Sequence, residues 1–488
     1  MLCGLRIILR EYQDLERRKS MEKSNRERIH EVEVFEAKSD FEYGFTAAKE
    51  RPLLYRKLVD FSLHLISRLS SSVRSEITRV CPTIKDEELH YMWLERLMGI
   101  SRAAGIELAY LKTASGFLSG FLNSGCTNFA AAPPATDDNG VYVSWNMDIM
   151  YPLRWVLGKV PLFVVRIDGR KPYVALGVPA IIALGVLNSD GLAMGANAVG
   201  MSDSGDGLNA SELNNIAMET CSTVDEVGDL YTKSPRATYS GSTVTILLNA
   251  NSTWGDARGG IATIEYSHNY IVVEKGKNGV LAEANHHQYL DRELSGGIDP
   301  SKQMAIAGSF ARLGRMWELL EEYYGKINPV IARRIVSDHG TNYSLLEPYG
   351  IKREWHEGPI DDGTICAHYW NAWSYLKRGK VMDALTILAT SCTIYQILMS
   401  PRALSIYLCT GWPCRNPHVP MYFGDLLDSK PAEPALAEGV PAPIARIKSR
   451  TERSYVGSFG WPPEPSKQEL LEKFRSGVER VDRALHVT

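Results

Sequence analysis

The first forty residues show little apolar periodicity. Arg, Lys and Glu dominate and aromatics are few, which predicts a mobile or weakly helical charged extension over 1–41. From Tyr43 the pattern changes, with Leu53, Leu54, Leu58, Phe61, Leu65, Ile66 and Leu69 recurring at helical spacing. A second helix is predicted after Cys81-Pro82-Thr83: Thr83 can cap it, and Asp86, Glu87 and Glu88 suit the positive end of its dipole. Leu89, Met92, Trp93, Leu97 and Ile100 form its apolar face. Beyond residue 126 the period shortens to two. Strands are predicted at 160–167 and 173–178 around Asp168-Gly169-Arg170-Lys171, and at 181–187 and 192–197 around Asn188-Ser189-Asp190-Gly191. Further strands are predicted at 243–249 paired with 261–265 and at 270–274. Helices are expected at 211–220, near 309–324, and from Thr223, where Glu226 three residues on suggests a capping box. From Ser429 the composition turns Pro- and Ala-rich before helical spacing returns at 466–485, so 429–488 reads as linker and C-terminal helix. Antiparallel hairpins with helices in separate blocks make the fold class α+β.

Candidate chemistry centres on Asn123-Ser124-Gly125-Cys126-Thr127-Asn128. Downstream, Asp138-Asn139-Gly140 between apolar runs signals a hairpin, which would return Asn146-Met147-Asp148 beside Cys126. Gly125 leaves its carbonyl open to attack by the next residue's sulfur. Cleavage there would free an α-amine (reference pKa about 7.7–8.0) and a thiol (about 8.5) on one residue, able to act as base and nucleophile together. Taken alone, Gly-Cys reads more simply as an inert buried cysteine.

Six motifs in order change that reading. Gly125-Cys126-Thr127, Asn146-Met147-Asp148, Asn188-Ser189-Asp190-Gly191-Leu192-Ala193, Asn285-His286, Ser309-Phe310-Ala311-Arg312-Leu313-Gly314-Arg315 and Thr364-Ile365-Cys366 together resemble the isopenicillin-N acyltransferase family. That family belongs to the cysteine N-terminal-nucleophile (Ntn) hydrolases, with bile-salt hydrolases and penicillin V acylases as relatives. The resemblance runs from roughly residue 42 to 424. It implies a helical pro-segment at 42–125 and a catalytic domain at 126–428, built as a four-layer αββα sandwich of mainly antiparallel sheets. It also implies cleavage between Gly125 and Cys126, with Asp148 orienting the freed amine. Asn285 would offer its side-chain amide, and Asn197 its backbone N–H, to the oxyanion of an acyl intermediate. Arg312 would be the cation near Cys126 and Asp148, with Arg315 as the alternative. Bile-salt hydrolases carry an arginine just before Asn-Met-Asp. Trp145 stands there in this chain and points to an aromatic lining, for which Trp145, Tyr151, Trp155 and Phe163 are candidates. Read on its own, Asn197 is equally a turn asparagine, and His286-His287 a solvated pair without the i,i+4 spacing of a metal site.

Composition sets outer bounds. With 488 residues and 44% hydrophobic positions the chain can bury a large core, and a formal charge of -3 gives no electrostatic case for nucleic acid or an anionic membrane. The eight cysteines show no paired metal spacing; Cys409 and Cys414 lie near each other without two further ligands, so no metal is expected. No cofactor is expected either, since no phosphate cradle for coenzyme A is recognisable. No apolar run reaches about 18 residues and Arg6 and Arg10 interrupt the one near the start, so the cytosol is the default location. The expected function is self-processing followed by hydrolysis of a small N-acyl amide through a Cys126 thioester, with the cleaved pro-segment retained as a subunit. One alternative is acyl transfer from acyl-coenzyme A thioesters to a small amine. The other is an unprocessed, non-catalytic scaffold or binding protein.

Overall fold

The computed structural model describes residues 31–67, 87–121, 125–150, 162–201, 203–238, 249–291, 304–349, 364–368, 376–377, 379, 391–449 and 464–486. Fifteen strands are numbered in chain order among these residues, in two sheets. The larger sheet contains β1 (Glu31–Ala37), β4 (Leu162–Ile167), β5 (Tyr173–Val178), β6 (Ile182–Asn188), β7 (Leu192–Val199), β8 (Asn249–Asp256), β9 (Ile261–Tyr266), β10 (Ile271–Lys275) and β15 (Ile444–Lys448). Its order is β10-β9-β8-β7-β6-β5-β4-β1-β15. The smaller sheet contains β2 (Gly125–Ala131), β3 (Tyr142–Met150), β11 (Val280–Glu283), β12 (Ser391–Ser400), β13 (Ser405–Thr410) and β14 (Val419–Tyr422), in the order β11-β2-β3-β12-β13-β14. Pairing is antiparallel except where β1 lies parallel to both β4 and β15.

The sheets pack face to face, with β2 and β3 against β7 and β8. Helices α1 (Asp40–Lys49), α2 (Pro52–Ser67), α3 (Glu87–Ala104), α4 (Leu108–Phe121), α5 (Ala210–Thr220) and α6 (Val224–Lys233) lie on the side of the larger sheet. Helices α7 (Met304–Glu322) and α8 (Pro329–Val336) cover the smaller one. This is the expected mixed α+β fold, two sheets flanked by helices. A strand covered on both faces must be apolar throughout, and β5 and β7 are buried at every position. In the smaller sheet the period-two alternation divides the side chains. Cys126, Ala130, Val143, Trp145 and Met147 join the core between the sheets, while Phe129, Ala131 and Tyr142 join the core under α7 and α8.

Two segments differ from the sequence reading. Residues 31–37, assigned to the flexible extension, form β1 inside the larger sheet: Val32, Val34, Phe35 and Ala37 are buried between β4 and β15. The alternation Glu-Val-Glu-Val is a strand signal submerged in the charge of the residues before it. Within the stretch assigned to linker, β15 extends the sheet at its edge, and Ile444 and Ile447 stay exposed there. The strand pairing with β9 is β8, a polar run, while 243–248 lie outside the described residues. Thr223 accepts from the Glu226 amide as expected, although the Glu226 carboxylate takes the Ser222 N–H instead of closing a capping box. The fully reciprocal box is Asn209 with Glu212, at the start of α5.

The N-terminal helices are bound tightly to the rest of the molecule. A Cβ on Gly44 would sit 1.8 Å from the Arg96 carbonyl oxygen, so α1 and α3 cross backbone against backbone. Buried Arg96 then pairs with Asp40 at 2.6 Å and with Glu219 of α5 at 2.8 Å, and Lys112 of α4 pairs with Glu212. Helix α9 (Lys467–His486) closes the outside through Leu470, Leu471, Phe474 and Val481, with Arg102–Glu469 and Arg480–Glu107 pairs at its margins. Among the described residues no helix is long and apolar enough to cross a membrane.

Candidate functional site

The predicted hairpin forms. β2 and β3 run antiparallel, joined by residues 132–141, and within that connection Asn139 adopts φ 61°, the left-handed conformation expected of an Asn-Gly turn, just before β3. The register sets Gly125 opposite Asp148 and Cys126 opposite Met147. Cys126 is fully buried near the start of β2.

Around it the structure gathers residues from distant parts of the chain. The Cys126 backbone N–H donates to Asn285 Oδ1 at 3.0 Å. Arg312 Nη2 donates to the same oxygen at 2.7 Å, and Arg312 Nε to Thr127 Oγ1 at 3.2 Å. Because two donors converge on that atom it must be the carbonyl oxygen, which fixes the orientation of the Asn285 amide. Asn285 Nδ2 donates to the Ala198 carbonyl at 2.9 Å. In the uncut chain Asn285 therefore presents its oxygen to Cys126, whereas the expected oxyanion contact would use its nitrogen. Across the hairpin, Asp148 is buried and its Oδ1 accepts from Thr393 Oγ1 at 2.6 Å.

A second ring of contacts braces Asn285. Its N–H donates to Ser309 Oγ at 2.8 Å, from the turn of α7 that precedes Arg312, and His286 lies 2.7 Å from the same hydroxyl while stacking on Phe310 at 3.7 Å. His286 and His287 are buried, against the expectation of a solvated pair. The Asn197 side chain donates to Asn251 Oδ1 at 2.9 Å, and Asn251 Nδ2 reaches Glu283 and the carbonyls of Ala284 and His286. Through its side chain, then, Asn197 supports the turn that carries Asn285.

Burial pushes the Cys126 thiol up to about 12, and Asp148 adds to the rise. The Trp145 indole and Arg312 pull it down by less. The expected lowering by Arg312 is present but outweighed. The two candidate arginines separate cleanly: Arg312 is at Cys126, while Arg315 pairs with Asp338 at 2.9 Å and with Glu318 at 2.9 Å. Of the four residues expected to line a pocket, Trp145 lies in the inter-sheet core with Cys126. Phe163 belongs to the same large apolar cluster but sits on β4, three strands from β7, with its ring edge-on to Phe35 at 5.9 Å. Tyr151 and Trp155 lie outside the described residues.

Sequence reasoning missed Thr393, Asn251 and Asn128. The first two act through pairings no local pattern reveals. Asn128 lies two positions from Cys126 and is fully buried, and its side-chain amide has no hydrogen-bond partner among the described residues. Gly195 faces it: a Cβ there would come within 3.1 Å of Asn128 Nδ2 and 3.0 Å of Trp145 Cβ. A polar residue on a face shared with the apolar core was the available signal.

Residues 164–374 match the family model of acyl-coenzyme A:6-aminopenicillanic acid acyl-transferase. The matched region contains Asn197, Asn285 and Arg312 and begins after Cys126 and Asp148. No curated protein gives a significant match. Among solved structures, penicillin V acylase from Agrobacterium tumefaciens is similar at 16% identity and a TM-score of 0.36, covering 62% of this chain and 88% of that one. A variant of conjugated bile acid hydrolase from Clostridium perfringens is similar at 12% identity and a TM-score of 0.31, covering 58% and 89%. Those likenesses are slight. The match over 164–374 carries the conclusion: this region of the chain is similar to the acyl-coenzyme A:6-aminopenicillanic acid acyl-transferase family.

Proposed function

We propose that the chain is a self-processing cysteine amidohydrolase of the Ntn type, cut between Gly125 and Cys126. The observation that carries this reading is the convergence on Cys126: Asn285 accepts from its nitrogen, Arg312 fixes that acceptor, and Asp148 lies across from Gly125. A structural cysteine needs none of these. In the first step Cys126 Sγ attacks the Gly125 carbonyl, the C–N bond breaks and the thiol proton passes to the leaving nitrogen, so the acyl group moves from nitrogen to sulfur and the nitrogen becomes a free α-amine. Water then hydrolyses the thioester, releasing the Gly125 carboxylate and restoring the thiol. Complete burial of the thiol supports such a sequence, since an uncut chain cannot offer Cys126 to a substrate, whereas a cut lets the preceding residues move away.

In the mature form the α-amine of Cys126 takes the thiol proton as sulfur attacks the acyl carbon of a small N-acyl amide. Arg312 and Asp148 hold the charges around that residue, and Asn285 with the Asn197 N–H stabilise the oxyanion. For Asn285 this role requires its amide to turn, exchanging the bonds its oxygen accepts from Cys126 N–H and Arg312 and the bond its nitrogen gives to the Ala198 carbonyl. The leaving amine is protonated, and water resolves the thioester. The family match favours a second reading, in which the acyl group comes from a coenzyme A thioester and a small amine resolves the intermediate.

Denaturing electrophoresis with intact mass tests the proposal. Fragments 1–125 and 126–488 are expected, the larger beginning Cys-Thr-Asn, and Cys126→Ala should leave one chain. Active material that stays full-length would overturn the scheme. Supplying an amine acceptor with an acyl thioester, and comparing acyl-amine with free acid, separates transferase from hydrolase.

A further inference from the structure

A second cluster lies beyond Asp148 and plays no part in the proposed chemistry. It is made by His339, just after α8, by Cys366 and His368 on the segment 364–368, and by Cys414 in the loop after β13. One ligand atom from each of the four lies within 4.8 Å of all the others. His368 Nε2 is 3.0 Å from His339 Nε2, 3.3 Å from Cys366 Sγ and 3.3 Å from Cys414 Sγ. A ring nitrogen offers either one hydrogen or one lone pair, so hydrogen bonding cannot satisfy three such neighbours at once. A shared central cation can. Zinc bonds of about 2.3 Å to sulfur and about 2.0–2.1 Å to nitrogen give a tetrahedron with edges of roughly 3.3–3.8 Å, close to the spacings observed.

We infer that His339, Cys366, His368 and Cys414 form a structural zinc site. Two thiolates and two imidazoles complete the coordination shell and leave no position open, as structural zinc requires, and the soft sulfur donors disfavour magnesium and calcium. The surroundings hold the ligands in place. Trp412 stacks on the His368 ring at 4.6 Å, and the Cys366 N–H donates to the Asp338 carbonyl at 3.1 Å, tying the segment to the residue before His339. Arg315 grips the Asp338 carboxylate with two hydrogen bonds, at 2.9 and 3.0 Å. That contact gives the second arginine of the Arg312–Arg315 pair its own task. The same segment reaches the candidate active site: the Ala367 N–H donates to Thr393 Oγ1 at 3.0 Å, and that hydroxyl donates to Asp148. The ion would thus clamp 364–368 against β12 and hold Thr393 under the carboxylate.

The site escaped the sequence reading because Cys414 was weighed with Cys409. The Cys409 thiol instead faces the carbonyls of Gly411 and Asn416, and the real neighbours of Cys414 come from two other segments. To keep the test independent of self-cleavage, zinc is measured by plasma mass spectrometry on full-length Cys126→Ala purified without chelator. About one zinc per chain is expected, falling at least tenfold in Cys126→Ala chains that also carry Cys414→Ser or His339→Ala. His339 is exposed, so its replacement should leave the circular dichroism spectrum intact and report on metal alone. Cobalt(II) substitution should show the visible absorption of a tetrahedral thiolate centre. An intact mass two hydrogens short that localises to a Cys366–Cys414 disulfide would overturn the inference. So would a folded chain without zinc, or zinc content unchanged by both variants.

Discussion

Asp148 illustrates how one side chain can act in opposite directions. Its charge raises the Cys126 thiol pKa, so removing the charge alone would make the thiolate more plentiful and cleavage faster. Its position, fixed by Thr393, would instead orient the amine and the reacting bond. We expect position to win: Asp148→Asn should slow maturation and turnover by about 10²-fold or more with the fold retained, as followed by time-resolved electrophoresis and circular dichroism. Faster maturation would assign it a purely electrostatic role. The thiol itself sets the pH dependence. With its pKa near 12 the thiolate is scarce at neutrality and grows with pH, so the cleavage rate should rise about tenfold per unit from pH 7 through 9 and beyond. A plateau near pH 8 would show that burial does not govern the thiol. Asn128 offers a different contrast. Its buried amide lacks a partner among the described residues, so Asn128→Leu should stabilise the uncut Cys126→Ala chain by about 1–2 kcal/mol in urea unfolding, because it removes an unsatisfied group. In the active chain the same change should lower turnover if this amide recognises the substrate.

At the scale of elements, the hairpin of β2 and β3 and the start of α7 do most to build the site. The hairpin is local and its alternation was legible, but its register, which places Gly125 opposite Asp148, is set across the ten-residue connection 132–141 and not by a two-residue Asn139-Gly140 turn. Helix α7 was legible as a helix, and the three-residue spacing of Ser309 and Arg312 lets both meet the Asn285 turn. Strand β8 was not legible, because its Asn and Ser residues look like loop until Asn251 is seen satisfying buried carbonyls. The N-terminal helices depend on a charge cluster of the same hidden kind. Arg96 is buried between Asp40 and Glu219, which Arg170 also pairs, so Arg96→Ala leaves two buried carboxylates sharing Arg170 alone and should cost about 3 kcal/mol in denaturant unfolding. A loss below 1 kcal/mol would mean that the cluster is solvated.

For the whole molecule, the consequence of β1 is that the segment before Cys126 is no separable domain. It contributes a strand flanked by β4 and β15, a helical layer on the larger sheet, and the surface on which α9 docks. After cleavage the fragments 1–125 and 126–488 should therefore co-elute in gel filtration at moderate salt and separate only in denaturant. Dissociation in native buffer would show that the sheet does not hold them. Seen from the sequence, the ordered motifs, the alternation of β4 to β7 and the Asn-Gly turn determined the fold class, the family relationship and the choice of Cys126, Asp148, Asn285 and Arg312 as candidates. Those signals lie in short stretches and survive without knowledge of distant neighbours. Only the tertiary structure separated Arg312, beside Asn285, from Arg315, beside Asp338, set Phe163 edge-on to Phe35, turned the oxygen of Asn285 toward Cys126, and brought His339, Cys366, His368 and Cys414 within reach of one another. The reason is physical: long-range contacts arise from how sheets stack and helices cover them, and a linear pattern specifies which face a side chain takes but not which partner waits there.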